Sequence, residues 1–233
     1  MTRGLAATFV AMGLVVAALV LLPPHYREIG WQIATASVAS PPADAEATSY
    51  KTSEWSKRLV SAAESQIGET VTYDPAYVSL EFPGGDVPRI RGVCTDVIIR
   101  ALRDAHGVDL QLFVNRDMKR AFGDYPRKWG LSRPDANIDH RRVPNLRRFF
   151  ERAGVELPVT DRPADYQPGD IVTWKLPGNL DHIGIVTNRP NGDRTRPLIV
   201  HNIGAGTRLQ DMLFSYRITG HYRLELSEKL GAP

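Results

Sequence analysis

A single cysteine, Cys94, serves the whole 233-residue chain, so an intramolecular disulfide is excluded. In an exported protein such a residue is a buried small hydrophobe, an intermolecular link or a reactive thiol, and its position has to decide. There is no HExxH sequence and no paired CxxC, so a zinc reading would rest on one Cys and two His alone and gains no support from motif. No cofactor is called for. Long Lys/Arg runs and interleaved aromatics are also missing despite the net charge of +3, which argues against nucleic acid as a partner. The mild basic excess suits an anionic partner such as a membrane surface or a cell-wall polymer. With 42% hydrophobic and 24% charged residues, the composition is that of a globular protein long enough for one well-buried domain.

Charge is missing altogether from Leu5 to Leu22, eighteen residues that follow Arg3 and end at Pro23-Pro24. A membrane span needs roughly 20 apolar residues, so this segment lies between a signal-peptide core and a short transmembrane helix. The small-residue triplets at 34–36 and 37–39 lie well beyond the apolar core, which favours an uncleaved anchor over a cleaved signal. Arg3 on the short side keeps the N-terminus in the cytoplasm and the bulk of the chain outside it. The expectation is an exported, periplasmic or extracytoplasmic protein held in the inner membrane by residues 5–22. Residues 1–24 are then signal anchor or signal peptide, 25–49 a linker rich in Ala, Ser and Pro, and 50–233 the folded domain.

Within that domain, Trp55, Leu59, Ala63 and Ile67 recur every fourth position and Gly68 supplies a stop, which predicts a first helix. Residues 71–90, rich in Pro and Gly, read as a long ordered loop or short strands. From Cys94 onward Val97, Ile98, Ala101, Leu102 and Ala105 form an apolar stripe, with Arg100, Arg103 and Asp104 facing away and Gly107 ending the helix. Further helices are expected over "LQLFVNRDMKRAF" and over "VPNLRRFFERAG", which has Pro144 near its first turn. The period then changes to two in residues 170–176, 181–188, 197–204 and 220–226, short runs separated by turn signals. Helices first and antiparallel strands afterwards is the order of an α+β domain.

A cysteine at a helix N-terminus meets unpaired N–H groups and the positive end of the helix dipole, which favour its thiolate. Such a nucleophile needs a base and a third group to orient it. His182 opens the run "HIGIV" and His201 closes "LIVHN", so a hairpin between them brings both imidazoles to one end of the sheet. Asn202, beside His201, is an alternative orienting residue, because neighbours on a strand point to opposite faces. His106 reads as a helix-end cap, and Asp181 as a structural residue facing away from His182. Asp139, His140, Arg141 and Arg142 read as a substrate rim or a solvated loop, and the arginines at 141, 142, 147, 148 and 152 most simply as a solvated helix face.

Taken in order, "GVCTDVIIRAL", "YQPGDIVTW", "DHIGIV" and "IVHN" resemble the papain-like cell-wall hydrolases of the NlpC type. The resemblance covers roughly residues 55–225, with a helical insertion at about 108–160. That insertion, through "NIDHRRVPNL", resembles a bacterial exported domain-of-unknown-function family, number twelve eighty-seven. The resemblance implies a papain-like core with Cys94 as nucleophile, His182 as base, His201 as orienting residue, and Tyr77 or Tyr73 lining the site. It also implies a peptide substrate, most naturally peptidoglycan stem peptides. The usual Asp-Cys-Ser-Gly is replaced here by Val93-Cys94-Thr95-Asp96. The acidic residue has moved behind the cysteine, so Asp96 is either a substrate contact or a cap in the first helical turn. An acyltransferase or thioesterase, and a non-catalytic wall-binding module, are the other classes open to the same residues.

Overall fold

The computed structural model describes residues 52–224; the expected signal anchor and most of the linker lie outside them. Among the described residues one compact unit holds 52–176 and 180–224, with the turn Pro177–Asn179 outside it. No helix among them is long and apolar enough to cross a membrane.

Helix α1, Glu54–Glu64, is capped by Ser53, whose side chain accepts the Ser56 N–H, and it buries Leu59, Val60 and Ala63. It ends a turn earlier than the four-residue period implied. Ile67 therefore lies beyond the helix and is exposed, while Gly68 takes the left-handed φ of 83° that closes the turn. Strands β1, Thr72–Tyr73, and β2, Arg91–Gly92, pair in parallel and lead directly into helix α2, Cys94–His106. Helix α3, Leu110–Ala121, starts at Asp109, which caps the Gln111 N–H, and helix α4 spans Val143–Arg152.

Six further strands follow: β3 Glu156–Leu157, β4 Ile171–Leu176, β5 Leu180–Pro190, β6 Pro197–Asn202, β7 Thr207–Gln210 and β8 Arg217–Tyr222. They form one antiparallel sheet in the order β3-β8-β4-β5-β6-β7. The expected meander runs from β4 to β7, and β8 returns to the far side of β4. Strand β8 begins three residues earlier than its apolar run, and β3 and β7 were not expected, being too short to display a period of two. The α+β class follows from these four helices and the antiparallel sheet.

The register sorts the sheet residues between two cores. Ile185 stands opposite Val200 on the side packed by Leu59, Ile98, Leu102 and Phe150. Val186 stands opposite Ile199 on the other side, with Trp174, Tyr166 and Leu213. Between strands, Asp170 of the Pro-Gly-Asp turn is fully buried and receives four donors: the Gln167 N–H, His221 Nε2, and Arg223 through Nε and Nη2. A buried carboxylate is tolerable only when its oxygens are satisfied in this way.

Two expectations are corrected. Arg100 is 1% exposed instead of facing water. The 71–91 segment wraps that side of α2 and supplies Asp86 at 2.9 and 3.0 Å and the carbonyls of Val87 and Arg91 at 3.0 Å, while Thr70 adds its hydroxyl at 3.0 Å. A guanidinium with five donors can be buried where five acceptors converge. Asp139, His140 and Arg141 form a buried 3-10 turn, not a solvated loop. The α4 arginines keep the surface position read for them, with Arg152 exposed, and still reach acceptors on neighbouring segments. Arg152 pairs with Asp117 and Asp124, and Arg148 donates to the Asp124 carbonyl, tying α4 to the end of α3.

Candidate active site

Cys94 is the first residue of α2, entered from an extended Val93. The first turn is closed by Asp96, whose Oδ2 accepts the Val93 N–H at 2.7 Å. Helix dipole and free N–H groups favour a thiolate here, yet burial opposes it and is larger: it pushes the Cys94 thiol up to about 12. The backbone N–H groups of Ile183, Thr95 and Cys94 itself act in the other direction. The resting sulfur is therefore a neutral thiol held against the amide that follows His182.

His182 lies opposite Trp174 in the β4–β5 pair. Its Nε2 is 2.9 Å from His201 Nδ1, with the two rings nearly perpendicular. Gly184 permits this approach, because a Cβ there would come within 2.6 Å of Ile199 Cγ2 and 3.1 Å of the His201 Cβ. The Trp174 ring lies 6.0 Å from that of His182 and is fixed by its Nε1–H, which donates to the Leu213 carbonyl. Burial holds both imidazoles neutral: His182 falls well below its ordinary range, helped by His201, and His201 falls to about 3. For His201 the Gln210 side chain opposes the burial and Arg208 adds to it.

Two neutral rings sharing one hydrogen bond between Nε2 and Nδ1 carry the same tautomer, both Nε2–H or both Nδ1–H. When His182 donates from Nε2, its Nδ1 keeps a lone pair, and among the described residues that nitrogen makes no hydrogen bond of its own. Among the described residues no hydrogen bond joins the thiol to the His182 ring; from this strand the Ile183 N–H acts on Cys94 by favouring its thiolate. Catalytic contacts of this kind commonly tighten only when substrate enters.

A cleft of about 170 Å³ opens onto Cys94, lined among others by Tyr73, Val93, Ile138, Arg141 and Asp181. Of the two candidate tyrosines, Tyr73 lines it. Tyr77 is exposed, donating to Asp135 and accepting from Asn137. Asp96 is buried and doubly engaged. Besides capping the turn, it takes Arg141 Nε and Nη2, each at 2.8 Å, so it is occupied by the protein itself. Asn202 points to the opposite face from His201, where Nδ2 donates to the Gly92 carbonyl at 3.0 Å and steadies the approach to Cys94. The ring against His182 is thus His201, not Asn202.

Asp181 lines the cleft with Cys94, which His182 does not, and pairs with Lys175 at 2.7 Å and Lys128 at 3.5 Å. His106, expected to cap its own helix, stacks on Trp55 at 4.1 Å and faces the Trp55 carbonyl. His140 is a core residue, its pKa driven to about 3 by burial. Sequence reasoning missed Trp174 and Gln210. The first reads as an ordinary strand aromatic, and the second lies on β7, which no pattern announced. Among the described residues no group of three or more His, Cys, Asp or Glu side chains is placed to hold a metal.

Residues 60–224 match a domain family described as "Domain of unknown function (DUF1287)". Over 165 residues the chain is 55% identical to the uncharacterized protein YijF of Escherichia coli (strain K12), an overlap that covers 71% of this chain and 80% of that protein.

Proposed function

The chain belongs to the DUF1287 domain family, and from the arrangement around Cys94 we propose that it is an exported cysteine hydrolase of papain-like, NlpC-type descent that cleaves an amide bond in peptidoglycan stem peptides. The observation that carries the reading is the buried His182–His201 contact of 2.9 Å on the strand whose Ile183 N–H favours the thiolate of the helix-initial cysteine. A lone structural cysteine needs no such neighbours.

The chemistry follows from the tautomers. As substrate enters the cleft, the Cys94 Sγ–H proton passes to His182 Nδ1, and the sulfur attacks the amide carbonyl carbon. The negative charge on the carbonyl oxygen is met by backbone N–H groups at the start of α2. The C–N bond breaks as His182 returns the proton to the leaving amine. Water, deprotonated by the same nitrogen, then hydrolyses the thioester and restores the thiol. His201 supports the imidazolium by accepting from Nε2 at its Nδ1. Both walls of the cleft carry ionised side chains, Arg141 and Asp181, which suits a polar peptide better than the acyl chain of a thioesterase or acyltransferase. In this reading the segment 5–22 holds the enzyme in the inner membrane with its domain facing the wall.

The deciding experiment compares the full-length protein with Cys94→Ala on purified sacculi, reading released fragments by mass spectrometry. New fragments from the wild type alone are expected and identify the bond. Identical traces from both would end the hydrolase reading.

A further inference from the structure

One stretch of the surface holds more positive charge than the whole chain. Residues 116–133 carry six cations, Arg116, Lys119, Arg120, Arg127, Lys128 and Arg133, and two acids, Asp117 and Asp124, a net +4 against +3 for all 233 residues. All six cations are exposed. Both acids are taken by Arg152, from outside the stretch, and Asp117 also accepts the Tyr125 hydroxyl. Lys128 pairs with Asp181, but among the described residues Arg116, Arg120, Arg127 and Arg133 have no ion-pair partner. Uncompensated charge of one sign raises the local concentration of an opposite partner.

The fold gathers these groups. Arg116, Lys119 and Arg120 stand at i, i+3 and i+4, one stripe of α3 on the side away from buried Val114 and Met118. Lys119 Nζ lies 5.8 Å from the centre of the Phe82 ring, and Arg127 Nη2 turns back to 3.8 Å from where a Cβ on Gly123 would stand, just past the end of α3. Phe122, Arg127, Trp129 and Leu131 share one small groove, in which the Arg142 guanidinium backs the Trp129 ring at 4.0 Å. Three large apolar side chains lie exposed among the cations: Phe82 at 43%, Trp129 at 37% and Leu131 at 37%. Another exposed apolar pair, Val71 and Ile90, lacks this charge excess, because Arg89 beside it already meets Asp104 and Glu69.

Guanidinium groups interleaved with tryptophan, phenylalanine and leucine match a bilayer interface. Phosphate headgroups meet the cations while the apolar side chains enter the acyl boundary. A hydrated wall polymer would answer the charge but leave Phe82 and Leu131 without a counterpart. Residues 23–51, between the apolar segment and Thr52, reach at most about 100 Å, so such a tether lets any face of the domain turn to the membrane and surface chemistry makes the choice. We infer that the face formed by α3 and residues 122–133 docks the domain onto an anionic phospholipid surface. Its nearness to a membrane rests on residues 5–22 acting as an anchor; the hydrolase reading plays no part in it.

The test places the full-length protein in nanodiscs of phosphatidylcholine alone, or of phosphatidylcholine mixed with phosphatidylglycerol, and reads amide hydrogen exchange by mass spectrometry. Residues 116–133 are expected to exchange about tenfold more slowly in the anionic discs, through several arginines acting together. The difference should vanish in about 0.5 M salt, where the screening length falls to about 4 Å. It should vanish too in the triple variant Arg116→Gln, Arg120→Gln, Arg127→Gln, which breaks no ion pair of the fold. Equal exchange in the two discs, protection confined to other segments, or protection that survives the triple variant would each overturn the inference. Protection of this stretch by added purified sacculi and not by anionic lipid would assign the face to a wall polymer, and overturn it as well. Elution keeps the two readings apart. A chain that travels with both kinds of disc but shows no difference keeps its anchor and loses the docking face, and one that travels with anionic discs alone keeps the face and loses the anchor. Travel with neither refutes both.

Discussion

Lowering the pH from 7 to 5 should remove several kcal/mol of the stability of this domain, and the loss should come from histidines. His140 and His201 are driven to about 3 by burial, and His182 is held well below its ordinary range by the same cause. A group whose folded pKa is depressed while its charged form is the protonated one resists protons that the unfolded chain accepts. Stability is therefore intact above the unfolded value of roughly 6.5 and declines as the pH falls below it. At pH 5 each unfolded histidine gains about 2 kcal/mol from protonation that its folded counterpart does not. The two that fall to about 3, His140 and His201, amount to about 4 kcal/mol, and His182 adds in the same direction, against a total of about 5–15 kcal/mol for a typical domain. His106 adds in the same direction, whereas Asp139, raised by burial, works against it. Carboxylates with lowered pKa values, such as Asp117, lose their contribution only below pH 5 and do not enter this window. The measurement is urea unfolding followed by circular dichroism at pH 7 and pH 5. His201→Gln, which cannot take up a proton, should shrink the difference between the two by about 2 kcal/mol. A wild type that loses less than about 2 kcal/mol, or a variant with an unchanged pH dependence, would refute buried neutral imidazoles as the ground state.

Two further substitutions probe what positions the site. Asp170→Asn leaves Arg223 and His221 facing a neutral amide in a buried place and should cost about 3–5 kcal/mol, read from the urea midpoint; a loss below about 1 kcal/mol would show that the four-donor hub is unimportant. Gly184→Ala puts a methyl within 2.6 Å of Ile199 and 3.0 Å of the Val200 carbonyl, spreading β5 from β6 where the two histidines meet. It should destabilise by about 1–3 kcal/mol and reduce the yield from sacculi further than that loss explains, whereas full activity at unchanged stability would mean that the strand spacing does not matter.

Much of the site was legible because its chemistry coincides with strong local patterns. The apolar stripe after Cys94 and the terminal Gly107 mark α2 within its actual bounds, and the runs ending in His201 and beginning near His182 mark the strands that bring the two rings together. What escaped is non-local. Nothing near Arg100 announces that the segment 71–91 will return to bury it, and its place on the polar side of the helix pointed the other way. Arg141 and Asp96 lie 45 positions apart, so a cap within the first turn was the only partner visible for Asp96. The choice between His201 and Asn202 needed the register, since alternation says that they differ in face without saying which face meets His182.

The side-on pair between Asp96 and Arg141 also bears on how this family can vary. Each residue alone is a buried charge that its neighbour makes tolerable, and losing either strands the other at a cost of about 3–5 kcal/mol. Losing both exchanges the pair for packing and can be nearly neutral. Sequences of relatives should therefore show the two positions retained together or replaced together. The ancestry of the nucleophile's helix and that of the insertion would be linked at this one point, even where everything between them has drifted.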